Sequence, residues 1–347
     1  MAKKKNNTES TMSIDDIDAH IISKYGDVFL SANSIMNEPN VVIPFSPAVD
    51  LILGGGIMEG SFVIMSGRPK SGKTSSALDF AGTAQRTEYV NDLCPNGRHI
   101  YFFNVEGRIK GRDLKGITNL DKSDDKLTII SSKPGNILNA EDFLEILENY
   151  VHTKPGAIFI IDSLSQLCSS SRRAEPVGNR FRDDVPLMLA GLTKKLSGIL
   201  PINKSILIGI THLYSNQDPK SKVKWVEASG QKIQYAADVK LRVTHFTPHI
   251  YKENQVGQII HWVCEVSGIG APGGKSDSLL RYGHGIDKEW ELMNYGSGIG
   301  LFDKAGSWYT FGDERVQGQD NACQFLRDNP ELYDELYVKF RQAMGLC

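Results

Sequence analysis

The chain has 347 residues, of which 23% are charged and 40% apolar, and its formal net charge is -2. That length suits one large domain with smaller attachments. The balance is ordinary for a globular protein with material for a core, and the near-neutral charge confines any nucleic-acid surface to a local patch.

The five cysteines, Cys94, Cys168, Cys264, Cys323 and Cys347, are odd in number and scattered, with no C-x-x-C. That argues against a disulfide framework or a zinc site and fits a reducing, cytoplasmic setting. Lys3 to Lys5 have no apolar run behind them, so the start does not read as a signal peptide. No stretch approaches the ~18 uninterrupted apolar residues of a membrane span.

In chain order, the first dozen residues are polar and read as disordered. The "KKK" within them is a solvated tail or a minor contact for DNA or a partner. "DDIDAHIISKYG" follows, with Ile17, Ile21, Ile22 and Tyr25 at helical spacing and Gly26 as the stop. From about residue 42 the pattern changes. "SFVIMS" (61–66), "HIYFFNV" (99–105), "AIFIID" (157–162) and "SILIGI" (205–210) are near-continuous apolar runs, as expected for strands covered on both faces. Helical patterns separate them. "NAEDFLEILENYV" has Asn139 as its cap, and "VPLMLAGLTKKLSGIL" is another. This alternation predicts an α/β fold with a mostly parallel central sheet. "KLRV", "IIHWVCEV" and "SLLRYG" add strands to it. After Asp287 the texture becomes that of a small α/β lobe. It ends in a helix with Asn329 as cap, Pro330 at the first helical position and a Leu332/Leu336/Phe340/Met344 stripe.

The sharpest motif is "GRPKSGKTS". Gly67, Arg68, Pro69, Lys70, Ser71, Gly72, Lys73, Thr74 and Ser75 follow a strand and open a helix. Two glycines let successive N–H groups curl around a polyphosphate. Lys73 supplies charge to the β- and γ-phosphates, Thr74 supplies a hydroxyl to Mg²⁺, and the helix points its positive end at the anion. Asp162, ending the buried strand "AIFIID", is placed to reach the metal shell, although an acid there can also cap a helix. Glu106, just past another strand in "FFNVEGR", can orient a water for attack on the γ-phosphate or form a surface ion pair with Arg108 or Arg112. His212 and Gln217, after the fourth strand, stand where a γ-phosphate sensor would. A lone histidine is otherwise structural. These residues together read as an ATPase using ATP and Mg²⁺.

Two long basic stretches follow the strands. One (168–184) carries Arg172, Arg173, Arg180 and Arg182 around Phe181. The other (213–232) carries Lys220, Lys222, Lys224, Trp225 and Lys232. Their length hints at function, and cations interleaved with an aromatic suit single-stranded nucleic acid. A solvated charged surface is the plainer alternative.

From about residue 42 to the C-terminus the chain resembles the RecA family of recombinases. "GRPKSGKTS", "VEG", "FIIDS" and the sensor stretch keep that family's order and approximate spacing. "GLFDKAGSWYTFGDERVQGQDNACQFLRDNPEL" closely resembles the bacterial C-terminal domain. "ITHLYSNQDPKSK" is more similar to the phage UvsX branch, with His212 where the bacterial branch has Gln. The resemblance implies an ATP-dependent strand-exchange protein in a bacterial or phage-infected cytoplasm. Its subunits would stack head to tail in a helical filament on single-stranded DNA, with ATP at the interfaces and the two basic loops along the axis.

Under this resemblance residues 1–42 would pack on the next subunit, 43–286 would be the ATPase core, and 287–347 would gather duplex DNA. Single-strand-binding and loading proteins would be further partners, and no membrane is implied. Two departures stand out. Positions where the family carries lysines reaching a neighbour's ATP are Val266 and Gly268 here, the first lysine being Lys275. No aromatic follows Glu106 to stack on adenine, which leaves Arg108 or Arg112 for that role. A ring helicase on the same core, or a non-exchanging mediator that binds ATP and DNA, are the alternatives.

Overall fold

A computed structural model describes residues 14–176, 184–216, 225–227 and 230–346. Contacts divide the chain into Met1–Asn40 and Val41–Cys347. The first unit holds the expected helix, Ile14–Tyr25, and a second helix, Ala32–Met36, capped by the Ser31 hydroxyl, which accepts from the Ser34 N–H. The isoleucine stripe is real as a helical face, but none of its residues is buried within this unit.

In the second unit ten described strands form the central sheet. They are β1 (Phe62–Gly67), β2 (Ile100–Asn104), β3 (Leu127–Ile130), β4 (Ile158–Asp162), β5 (Ile206–Ser215), β6 (Trp225–Glu227), β7 (Val239–Tyr251), β8 (Asn254–Val266), β9 (Lys275–Arg281) and β10 (Gly285–Ile286). Their order is β10-β9-β8-β7-β1-β5-β4-β2-β3, with β6 on β5. The inner strands, from β7 through β3, pair in parallel. The antiparallel ribbon β7–β8–β9 extends one side.

Side chains alternate along β1 between two cores. Val63 and Met65 join one with Phe80, Ile160 and Trp262, while Phe62 and Ile64 join the other with Leu147, Phe159 and Leu196. β1, β2 and β4 therefore carry near-continuous apolar runs, because both their faces are covered, whereas β7 sets Lys240 and Arg242 among its apolar residues. The helix Lys73–Ala84 covers the first face. Ala140–Thr153 and Val185–Ile202 cover the second. Asn139 caps its helix reciprocally with Asp142, at 2.9 and 2.8 Å. Val185–Ile202 is long and apolar enough by composition to cross a membrane. Here it buries Val185, Leu189, Leu196 and Leu200 in the second core.

Three expectations are refined. β5 runs to Ser215, beyond the expected Ile210, so His212 lies within a strand rather than past its end. Asn329 occupies the cap position, but its amide donates to Phe325 O at 2.8 Å and makes no cap. Leu336 and Phe340 of the terminal stripe are buried, whereas the helix ends at Ala343 and Met344 is exposed.

The C-terminal lobe has its own core around Leu292, Phe302, Tyr309, Phe311, Leu326 and Phe340. It joins helices Lys288–Gly296, Gln319–Asp328 and Pro330–Ala343 to a three-stranded sheet. An ion-paired seam holds it to the central sheet's side. Arg341 donates to Asp50 Oδ2 at 2.9 Å and to Gly55 O at 2.8 Å, and the Tyr337 hydroxyl donates to the same carboxylate. Within the lobe, Arg327 pairs with Asp287 at 2.6 Å. The β7–β8 ribbon turns over at Lys252 and Glu253, with φ of 46° and 67°.

Candidate functional site

The parallel order delivers the candidate residues to one edge. Register sets Gly67 at the end of β1 opposite His212 on β5, and Asp162 at the end of β4 opposite Asn104 on β2. Glu106 follows two residues after Asn104, and its N–H donates to Asp162 O at 3.1 Å. This is the carboxyl-end crevice where parallel sheets collect ligands.

The loop between β1 and the next helix is shaped by close approach. Gly72 has φ of +85°, and a Cβ there would lie 2.7 Å from Ile260 Cδ1 and 2.8 Å from Leu280 Cδ2. At Gly67 a Cβ would lie 2.8 Å from Ser71 Oγ. Gly72 offers no side-chain cap to the helix starting at Lys73, so that helix's first N–H groups remain available to an anion. Lys73 is buried. Its ammonium donates to Gly67 O at 3.0 Å and Arg68 O at 2.8 Å, and burial draws its pKa down to about 8 against the pull of Asp162 and Glu106. Thr74 Oγ1 donates to Asp162 Oδ2 at 2.8 Å. Burial, aided by Glu106, raises the Asp162 carboxyl above its ordinary value, and the Thr74 hydrogen bond opposes this. A divalent cation fits here: a hydroxyl and a desolvated carboxylate already converge, beside a cradle and a buried ammonium suited to phosphates. Among the described residues no group of three or more His, Cys, Asp or Glu could hold a metal, so phosphate oxygens and water would complete its shell.

Glu106 is held by three partners. His212 Nε2 is 2.6 Å from Oε1, Ser163 Oγ donates to the same oxygen at 2.9 Å, and Arg108 lies 3.4 Å from Oε2. The hydrogen bond from His212 keeps the Glu106 carboxyl below its ordinary value despite burial, with help from Ser163 and Arg108. The ionised carboxylate only accepts, so Nε2 carries the proton. Nδ1 is then buried with no hydrogen-bond partner among the described residues. Ser165 Oγ accepts from the His212 N–H at 2.8 Å. Glu106 thus makes the expected ion pair with Arg108 and, in addition, a contact with His212 that the sequence did not announce. Arg112 pairs instead with its neighbour Asp113.

The DNA-contacting candidates are only partly described. Arg180, Phe181, Arg182, Lys220, Lys222 and Lys224 lie outside the described residues, as do the side chain of Lys232 and the sensor candidate Gln217. Arg172 and Arg173 sit on the short helix Ser170–Ala174, where Arg173 donates to Leu138 O at 3.1 Å. Trp225 opens β6, and its ring lies 5.2 Å from the Arg68 guanidinium of the phosphate loop. Val266 ends β8 half exposed, Gly268 follows in an open turn, and Lys275 begins β9 opposite Val263.

Sequence reasoning missed Ser163 and Ser165, although "IIDSLSQ" set them beside the strand end. It also missed the link between Arg68 and Trp225, assigned to separate sites. A further missed feature is the cluster in which Lys240 pairs with Glu227 at 2.8 Å and Glu265 at 2.9 Å, and Arg242 with Glu265 at 2.8 Å.

Residues 290–345 match the RecA C-terminal domain family. About nine-tenths of the chain is similar to proteins named RecA. That of Streptomyces coelicolor is 29% identical over 317 residues, covering 89% of this chain and 79% of the relative. That of Halalkalibacterium halodurans is 26% identical, covering 86% and 81%. The Thermotoga maritima protein is 26% identical over 333 residues, covering 92% and 88%.

Proposed function

We infer that this chain, a member of the RecA family of recombinases, is an ATP-dependent DNA recombinase. It pairs single-stranded DNA with a homologous duplex in recombination and repair, and its turnover of ATP answers to DNA. One observation carries the ATPase reading. The phosphate-loop end (Lys73, Thr74, Asp162) and the carboxylate–imidazole pair (Glu106, His212) meet at adjacent parallel strand ends. The relatives' name carries the DNA reading.

Gly67, Arg68, Pro69, Lys70, Ser71, Gly72, Lys73, Thr74 and Ser75 wrap the triphosphate, Lys73 giving its ammonium to the phosphates. Thr74 and Asp162 would hold Mg²⁺, which when bound neutralises charge building on the phosphates. Glu106 accepts a proton from the attacking water. His212 keeps that carboxylate ionised and, from the strand next to β1, is the group placed to register the γ-phosphate. Arg172, Arg173, Arg180, Arg182, Lys220, Lys222, Lys224, Trp225 and Lys232 contact single-stranded DNA. Residues 1–42 pack on the next subunit, 43–286 form the ATPase core, and 287–347 gather duplex. Copies add head to tail into an open helical filament in the cytoplasm, since a heterologous contact that does not close makes a filament.

The deciding experiment is ATP hydrolysis with and without single-stranded DNA, on wild type and Lys73→Ala, with electron microscopy of the same samples. Stimulated turnover on open filaments, lost in Lys73→Ala, is expected. Closed rings would replace this reading with a helicase. Filaments whose turnover ignores DNA would replace it with a non-exchanging mediator.

A further inference from the structure

We propose that Arg68 and Trp225 form the contact through which the phosphate loop and the DNA-facing indole of Trp225 sense each other's ligands, an inference that rests on the reading just given.

The Arg68 side belongs to the phosphate loop in its hydrogen bonding as well as its sequence. Its carbonyl accepts from the Lys73 ammonium at 2.8 Å and from the Ser71 N–H at 3.3 Å. Its guanidinium lies against the indole of Trp225, 5.2 Å from the ring centroid, within the range of cation–π attraction.

The Trp225 side is a stem clamped twice. β6 ladders onto β5, with Ser215 opposite Trp225 and Leu213 opposite Glu227, directly after His212. At its other end the Glu227 side chain is almost fully buried and pairs with Lys240 at 2.8 Å and Arg242 at 3.5 Å. Both cations also pair with Glu265. Two carboxylates therefore balance two cations, and Lys240 donates additionally to Gln234 Oε1 at 3.1 Å. The ladder to β5 and the buried Glu227–Lys240 pair tether this three-residue stem at both ends, so a change at the indole is felt at Arg68.

Each partner has a competing use. A guanidinium at a phosphate loop is drawn to polyphosphate oxygens, which bind it more strongly than an aromatic face. An indole facing nucleic acid can stack on a base instead of a guanidinium. Phosphate at the loop and bases at Trp225 are then linked equilibria, and the linkage acts equally in both directions.

The test is a double-mutant cycle on one ratio: single-strand affinity with a slowly hydrolysed ATP analogue divided by affinity without nucleotide. Arg68→Ala and Trp225→Leu should each shrink this ratio by about 2- to 5-fold, the size of an exposed cation–π contact. The double variant should shrink it no further than the larger single effect, and Trp225→Tyr, which keeps an aromatic face, should restore most of it. Single effects that multiply in the double variant would overturn the proposal. So would variants that weaken DNA binding equally with and without nucleotide, the signature of a damaged fold. A wild-type protein whose DNA affinity ignores nucleotide would overturn the underlying function, and this inference with it.

Discussion

At the scale of single residues, the proposed chemistry turns on how His212 and Ser163 treat Glu106. Their hydrogen bonds hold the carboxylate ionised below its ordinary range, so the part of the acid limb that belongs to Glu106 should lie below the usual glutamate value. His212→Ala removes the largest stabiliser of the charged form. Glu106 then takes a proton at higher pH, and the acid limb of the rate profile should move upward, as a pH series of hydrolysis rates would read. Glu106→Gln should keep nucleotide binding while hydrolysis falls by about 10²- to 10⁴-fold, the usual worth of a general base. Retained turnover would take Glu106 out of the mechanism. Glu106, Lys73 and Asp162 were legible in the sequence because each chemistry comes with a position: a loop after a strand, or an acid at a strand's end. The supporting serines were not, since a serine's worth lies in its partner, and that partner stands on another strand.

At the scale of elements, the seam between the C-terminal helix and Asp50 is the place to test stability. Burial lifts the Asp50 carboxyl to about 6, opposed by Tyr337, the Phe45 N–H and Arg341. Its ordinary value is 3.8. Between the two values the folded protein holds a proton that the unfolded chain has lost. This contribution to stability disappears as pH rises through about 6, and above it the buried carboxylate depends on Arg341. Arg341→Ala should therefore cost about 3–5 kcal/mol at pH 8 and clearly less at pH 5, measured by urea unfolding at both. An equal loss at both pH values would mean that Arg341 acts through Gly55 O and its packing alone. The strands were readable beforehand because a run such as Phe62–Gly67, apolar at every position, has few other homes. The helix Lys288–Gly296 was not, since its sequence, KEWELMNYG, mixes charge and aromatics and buries only Glu291, Leu292, Met293 and Gly296. The extension of β5 to Ser215 was hidden too, because Thr211 and His212 interrupt the apolar run and the last three residues gain their ladder from β6.

At the scale of the whole molecule, a net charge of -2 means that DNA must be held by local cations rather than by the overall field. Changing Lys220, Lys222 and Lys224 together to Ala should flatten the salt dependence of single-strand binding by about two units, at ~0.7 per phosphate contact. An unchanged slope in a salt titration would return that stretch to solvated surface. The parallel sheet could be anticipated from alternation, but the long antiparallel ribbon could not be given its length, since the second half of β7 is largely exposed and lacks a buried periodicity.

That ribbon's tip also offers a handle. Lys252 and Glu253 both adopt left-handed backbone, which side chains of their kind rarely favour, in a two-residue turn whose geometry suits Asn-Gly. Writing Asn-Gly there should raise stability by about 1 kcal/mol. The tip is exposed and belongs to none of the three cores, so it is also where a reporter dye or a short foreign peptide can be grafted to follow assembly in real time.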